Sequence, residues 1–299
     1  LVRTHILRPT WHFVAAEDLR WILALTSGKV ESSFSGRRRR LGLDGPMIER
    51  ALDEISAILD GRRFSTAAEI GQHFASIGHS IPGDAVRHLL LIAELRGLIC
   101  SGPLRGSTHT YGLVNELIPP TLSLERDTAA RQLVQRFFTG HGPASEQDLR
   151  RWTTLTLAEI RQALAELDDA GLETLTCEGT TLWFDPASVE FGPPRRRVAL
   201  LPTFDEAYLP YRSVAVARID GHPRGDGPHV FAEAGGGVVI ADRRDAGWWK
   251  RTARGDGPMT IRLGLATGLD TEQRQLITAE TAGLAAFFDR DHRVELVDP

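Results

Sequence analysis

Thr10 and His12, in the stretch RPTWHFV, are the first residues of this 299-residue chain whose types and spacing suit chemistry. Two positions apart on an extended segment, they face the same way, with Trp11 and Phe13 on the other side. A hydroxyl and an imidazole are thereby expected to line one pocket. The opposing reading is a strand whose Trp11 fills the core and whose His12 only meets solvent. Asp205 and Glu206 stand side by side, as a pair of carboxylates for acid–base work would, but the nearby Arg212 favours a structural ion pair. No GxSxG nucleophile turn and no GxxxxGK[ST] phosphate loop occurs. Cys100 and Cys177 are the two cysteines, far apart and without CxxC or Cys/His ligand spacing. They read as reduced residues near strand ends, with neither a zinc site nor a disulfide framework, and no metal or organic cofactor is expected.

The formal net charge is −4, with 42% hydrophobic and 25% charged residues. This is globular composition with enough chain for two or three cores. It excludes a mainly disordered chain, and the longest apolar run, near Leu89 to Ala93, is far too short to cross a bilayer. A soluble cytoplasmic protein is expected. An acidic total does not recommend a nucleic-acid partner, but distribution outweighs the sum. Arginine clusters in SGRRRRLG (Arg37 to Arg40), PPRRRVA (Arg195 to Arg197) and ADRRDAGWWKRTARG (Arg243, Arg244, Lys250, Arg251, Arg254). Each run taken alone reads as a solvated loop. Together they leave room for basic faces on an acidic body.

The elements that must position these residues follow from periodicity. Met47, Ile48, Ala51, Leu52, Ile55, Ile58 and Leu59 share one helical stripe. Thr66 and Glu69 have capping-box spacing ahead of a second helix carrying Ile70 and Phe74. Val86, Leu89, Leu90 and Ala93 mark a third helix, expected to be the longest, with Gly97 where a left-handed C-cap belongs. LICSGPLRGSTHTYGLV then reads as a β-hairpin with a flexible tip. The same order recurs: Ala130, Leu133, Val134 and Phe137 on one face; Ser145 with Asp148 and Thr156 with Glu159 at capping-box spacing; Ile160, Leu164 and Leu167 inward; and a hairpin turning at Glu178 and Gly179. Three helices closed by a two-stranded wing is the winged form of the helix-turn-helix, whose third helix can lie in a major groove. Such units also serve as protein-interaction modules. The first copy offers Arg87, His88 and Arg96 on its third helix and Arg105 at the wing tip, which suits phosphate contact. The second offers mainly Arg161 beside Glu166, Asp168 and Asp169, and reads as structural.

After FGPPRRR the period shifts toward two, and strands and hairpins are expected, with one helix bearing Ile277, Leu284 and Phe288 and a last short strand, RVELVD. The hairpin GGGVVIADRRDAGWWKRT joins basic residues at its turn to Trp248 and Trp249 on its return strand. Arginines of this kind suit a narrow minor groove, and an apolar wedge can unstack bases. The alternative places at least one tryptophan in the core. The expected fold class is α+β: tandem winged-helix domains with a β-rich C-terminal portion. The expected boundaries are 1–45 (remainder of a first winged helix), 46–120 (second), 121–192 (third) and 193–299.

Three stretches taken together, RTHILRPTWHFVAAEDLRWILALT, RRRRLGLDG and LLPTFDEAYLPYR, resemble the bacterial winged-helix DNA-binding family that contains the AlkZ-like and YcaQ-like DNA glycosylases. The matching positions are Arg3, Thr4, Arg8, Thr10, His12, Glu17, Asp18, Arg39 to Leu43 and Leu200 to Leu209. The chain departs from the family at Ala207, inserted between Glu206 and Tyr208, and at Pro210 to Arg212. The resemblance implies three tandem winged helices around a concave surface and a β-rich C-terminal portion. It also implies a catalytic Gln-x-Gln or Gln-x-Asp motif some tens of residues ahead of RTHILRPTWH. That motif is expected upstream of residue 1, and the chain reads as a fragment entered part-way through its first domain. Catalytic residues are therefore expected to be absent from it, with Thr10 and His12 lining the pocket. The expected partner is double-stranded DNA, contacted by Arg8, Arg39, Arg40, Arg87, Arg105, Arg243, Arg244, Lys250 and Arg251, with no membrane and no obligate protein partner. The expected activity of the complete protein is excision of alkylated or crosslinked bases. A non-catalytic DNA-binding or regulatory protein is the second reading, and a protein-interaction module the third.

Overall fold

The computed structural model describes residues 1–121, 123–167, 171–188, 197–208, 211, 218–223, 235–253, 255 and 257–297. Arg195, Arg196, Arg212, Arg254, Asp168 and Asp169 lie outside the described residues. The chain forms two compact units, Leu1–Phe138 with Leu149–Leu172, and Thr139–Asp148 with Glu173–Pro299. Helix and strand are both abundant, as the α+β expectation requires, and the strands concentrate in the second unit. No helix among the described residues is long and apolar enough to cross a membrane.

The first unit begins with an antiparallel hairpin, β1 (Val2–His5) and β2 (Trp11–Val14), in which Arg3 faces Phe13, Thr4 faces His12 and His5 faces Trp11. Helix α1 (Leu19–Ser33) follows, then α2 (Ser35–Arg40). The arginine run thus belongs to a helix and not to a loop. It ends there because Gly42, at φ 68°, takes the left-handed conformation that lets its N–H reach Arg39 and the Leu43 N–H reach Arg38. The turn then delivers Leu43, 3% exposed, into the core.

Helix α3 (Gly45–Leu59) is capped by Asp44, whose carboxylate accepts the Met47 N–H at 2.8 Å. A two-residue strand β3 (Ser65–Thr66) leads into α4 (Ala67–Ser76), where Thr66 and Glu69 close a reciprocal capping box. Helix α5 (Gly83–Leu95) stops at Gly97, φ 67°, with the Leu98 N–H bonded back to Ala93. At 13 residues it is shorter than the 15-residue α3, contrary to expectation. Strands β4 (Ile99–Ser101) and β5 (Thr110–Leu113) pair, and β3 joins β5, giving the order β3-β5-β4. The core between these elements includes Ile48, Ile55, Ile70, Phe74, Leu89 and Ile92. A short α6 (Val114–Leu117) follows.

Helix α7 (Arg126–His141) buries Ala130, Leu133, Val134 and Phe137 as its periodicity predicts. Helices α8 (Glu146–Trp152) and α9 (Leu157–Ala165) open at the predicted boxes, Ser145 with Asp148 and Thr156 with Glu159. Glu159 is also a junction of charges. Burial works against its ionised form, but hydrogen bonds from Arg126, from the Thr156 backbone and hydroxyl, and from Lys29 prevail and hold its pKa at about 2, down from 4.5. A carboxylate depressed in the folded state stabilises above its ordinary pKa, and that contribution is lost as pH falls from 4.5 through about 2. Urea titrations of Glu159→Gln are therefore expected to show a weaker loss of stability than the native chain between pH 5 and pH 2. An unchanged acid limb would show that solvent already screens the cluster.

In the second unit a hairpin, β6 (Glu173–Cys177) and β7 (Thr180–Phe184), turns at Glu178 and Gly179. Among the described residues five strands build one sheet: β8 (Val198–Pro202), β9 (Gly236–Ala241), β10 (Arg244–Thr252), β11 (Met259–Leu265) and β12 (His292–Val297), in the order β12-β11-β10-β9-β8. All neighbours are antiparallel except β11 and β12. A parallel pair needs a long crossover, and α10 (Thr271–Phe287) supplies it, packing on the sheet through Ile277. Gly237 in β9 lies so close to β8 that a Cβ there would stand 1.8 Å from the Leu201 carbonyl oxygen.

Candidate functional site

The residues singled out in the sequence scatter over both units. Thr10 and His12 do share a side of the first hairpin, with Thr10 Oγ1 and His12 Nε2 2.9 Å apart in a hydrogen bond, and both are half-buried. Trp11 does not fill the core. It is 47% exposed and Phe13 is 73% exposed, and the register places both on the side of the hairpin that carries Arg3 and His5.

That same side of the hairpin closes over a cluster that no sequence spacing announces. Glu94 projects from α5, and its side chain is fully buried. Its Oε2 meets His5 Nδ1 at 2.5 Å and accepts the Trp11 indole N–H at 3.3 Å, while Oε1 has no hydrogen-bond partner. The His5 and Trp11 rings lie 4.3 Å apart, and the Arg3 guanidinium sits 4.3 Å from the Trp11 ring centroid and donates to Ser101 Oγ at 3.1 Å. Burial lowers the pKa of Arg3, opposed by the charge of Glu94. The same burial, with Glu94 adding to it, pushes the Cys100 thiol up to about 11 and the Tyr111 hydroxyl up to about 12. Glu94 is 83 residues away from Trp11 and was missed.

This packing changes the role expected of α5. Nearly every residue from Ala85 to Leu95 is buried, because α1 and β1 cover the side of α5 that the three-helix core does not. A helix apolar nearly all round belongs inside. His88 is 3% exposed, and burial together with the charges of Arg37 and Arg38 lowers its pKa. Arg96, at the C-cap, is bridged to Glu31 at 2.8 Å and Glu49 at 2.7 Å, and those hydrogen bonds raise its pKa. The helix expected to enter a groove thus offers Arg87 alone of the three basic residues named for it. Arg105, at the tip of the β4–β5 loop, is exposed but engaged with Glu69 and the Phe64 carbonyl.

Arg39 and Arg40 are exposed on α2, and Arg8 is half-buried in the turn of the first hairpin. In the second unit, the turn between β9 and β10 falls at Asp242 and Arg243, with Arg243 at φ 65°, and Arg244 is exposed beside it. Lys250 and Arg251 lie half-buried further along β10, Arg251 over the Phe288 ring at 4.3 Å. The aromatic wedge expected here is not formed. Trp249 is 4% exposed and donates to the Leu201 carbonyl at 2.9 Å, and Trp248 lies across Gly264 of the neighbouring strand. The basic turn and the tryptophans are separated by several residues of strand.

The Asp205–Glu206 pair resolves as structure. Asp205 accepts the Ala207 N–H at 2.8 Å, closing a turn, and Glu206 meets His141 at 3.2 Å. A second buried carboxylate, Asp245, lies at a β-bulge, where it meets His222 Nε2 at 2.8 Å and accepts from the Tyr208 hydroxyl at 3.2 Å and the Gly247 N–H at 3.1 Å. Both cysteines are free, Cys100 in the middle of β4 and Cys177 at the end of β6. Among the described residues no group of three His, Cys, Asp or Glu side chains is arranged to hold a metal ion. One Gln-x-Gln spacing does occur, at Gln273 and Gln275, and it escaped the sequence reading. There Gln273 closes the capping box with Asp270 and donates to Asp242 at 2.9 Å, so it holds the start of α10.

Residues 1–287 match the family described as DNA glycosylase AlkZ-like. The chain is similar in fold to the Streptomyces sahachiroi DNA glycosylase AlkZ, with a TM-score of 0.71 and 20% sequence identity over 99% of this chain and 81% of that one. No curated protein matches it in sequence.

Proposed function

Because the chain belongs to the AlkZ-like family of DNA glycosylases, we propose that it works on double-stranded DNA in the excision of alkylated or crosslinked bases, in the cytoplasm. The family match along residues 1–287 is the observation that carries this reading. The order of α3, α4, α5 and the β4–β5 hairpin supports a winged-helix module over 46–120. A first such module over 1–45, a third over 121–192 and a β-rich portion over 193–299 complete the proposed organisation.

The chemistry suits a site with few acid–base groups. Glycosidic cleavage passes through an oxocarbenium-like state, and a neutral base usually needs an acid to leave. An N-alkylated purine is already cationic and departs neutral, so a polar group that places a water suffices. Thr10 and His12 are the proposed lining of that pocket, and no cofactor takes part. Arg39, Arg40, Arg87, Arg243 and Arg244 are exposed and are the proposed phosphate contacts. Arg8, Lys250 and Arg251 contribute from half-buried positions, and Arg105 does so once released from Glu69.

The test is two measurements on one preparation. Duplex affinity is expected to fall steeply and linearly in log–log form with added salt, since each neutralised phosphate releases counterions. Incubation of the complete protein with duplex containing N7-methylguanine is expected to release that base. Binding without release favours the second reading, a non-catalytic DNA-binding protein on the same scaffold. A chain with no salt-dependent affinity for duplex would leave the interaction-module reading.

A further inference from the structure

Helix α4 turns a face of small side chains away from the three-helix core. Ala68, Gly71 and Ala75 recur at helical spacing there, while Ile70 and Phe74 are buried on the other side. The start of α5 and strand β5 complete a groove of about 660 Å³ beside that face, within the ordinary range of small-molecule sites, roughly 300–1,000 Å³. Val86 adds apolar wall, and no carboxylate is among the described residues that line the groove. Arg87 stands exposed at its rim and makes no hydrogen bond or ion pair among the described residues.

Strand β5 supplies a second, independent sign of a ligand. Tyr111 lines the groove and is 7% exposed, and its hydroxyl, not sealed from solvent, has no hydrogen-bond partner among the described residues. A phenol this buried ordinarily finds an acceptor. Burial, with the charge of Glu94 adding to it, pushes the Tyr111 pKa up to about 12, so at neutral pH the group is an O–H donor. Burial and the charge of Arg3 lower the pKa of His109 at the same wall, which leaves Arg87 as the full positive charge of the groove.

We propose that this groove binds a small organic anion, with a compact aromatic body against the α4 face and Val86, the anionic group on Arg87, and an acceptor for the Tyr111 O–H. Small side chains leave a flat wall against which a planar body makes the most contact. A hydrated phosphate satisfies Arg87 but leaves the apolar wall uncovered. An apolar protein segment covers the wall but leaves the guanidinium and the hydroxyl without partners. Occupancy of the groove does not depend on the DNA-binding reading.

The experiment uses the full chain and two dyes with the same aromatic body, 8-anilinonaphthalene-1-sulfonate and the uncharged N-phenyl-1-naphthylamine. The sulfonate is expected to bind at one site per chain, about tenfold more tightly than the neutral dye, the size of one hydrogen bond to a charged group. Arg87→Gln is expected to erase that preference and leave the neutral dye's affinity unchanged. Tyr111→Phe is expected to weaken the sulfonate severalfold. Gly71→Leu fills the groove from a position whose Cβ would make ordinary 3.7 Å contact with Val86, and is expected to abolish binding of both dyes. Gly71→Ala makes that contact and no more, so an intermediate loss there separates filling from misfolding. Equal affinity for the two dyes overturns the anion site. So does sulfonate binding that survives Gly71→Leu or ignores Arg87→Gln, and so does displacement by inorganic phosphate at matched ionic strength. Each of these outcomes leaves duplex binding untouched.

Discussion

Glu94→Ala is expected to lower the unfolding free energy of the first unit by about 2–4 kcal/mol, because each buried polar group left without its partner costs about 1–3 kcal/mol. The size follows from what is left behind. His5 Nδ1 and the Trp11 indole N–H both lose their acceptor, and both lie where the β1–β2 hairpin meets α5. The loss is electrostatic first and steric second, so Glu94→Gln, which fills the same volume, is expected to fall between the native chain and the alanine variant. Urea unfolding followed by tryptophan fluorescence measures both. A change below about 1 kcal/mol in the alanine variant would mean that water reaches the cluster and replaces the carboxylate, contrary to its full burial.

Gly237→Ala is expected to be comparably severe, about 3 kcal/mol or more, for a reason unrelated to charge. The added Cβ would meet the Leu201 carbonyl oxygen at 1.8 Å and the Leu201 carbonyl carbon at 2.8 Å. Backbone atoms of a paired strand cannot swing aside as a flexible side chain can, so β8 and β9 must separate locally and lose ladder bonds. Gly28 gives the contrast within the same chain. It lies exposed in α1 with open space where a Cβ would go, and Gly28→Ala is expected to raise stability by up to about 1 kcal/mol through helix propensity. Paired unfolding curves decide the matter, and Gly237→Ala proving as mild as Gly28→Ala would show that the sheet edge at β8 yields at little cost.

Local signals were legible because they act within a few residues. The capping boxes at Thr66, Ser145 and Thr156 and the left-handed turn at Gly97 all stand where hydrogen-bond demand at a helix end places them. The helical stripe of α7 was legible for the same reason. Periodicity identifies a helix but not how many of its faces are covered. For α5 it marked the stripe toward α3 and α4 and left the other side free for DNA, whereas β1 and α1 lie there. The warning sign was composition: between Val86 and Leu95 the polar residues are few, and two of them, His88 and Glu94, are buried.

The candidate site was half legible for a related reason. Thr10 and His12 were placed on one side of a strand by a two-residue period, and their hydrogen bond follows from it. The cluster behind them joins residues 3, 5, 11, 94 and 101, separations that only the tertiary fold sets. Likewise the tryptophans after the β9–β10 turn looked equivalent in sequence, but alternation sends Trp249 into the core and leaves Trp248 over Gly264 on the opposite face.

The parallel pairing of β11 with β12 leaves β12 at one end of the sheet, and among the described residues nothing pairs with its outer side. Its free amides and carbonyls form a template onto which a strand of another molecule can add. Arg293 and Glu295 stand exposed along that strand, 3.5 Å apart as an ion pair. Stacking a second copy alongside would strip water from both charges, so the sheet can end in the open with little tendency to self-associate.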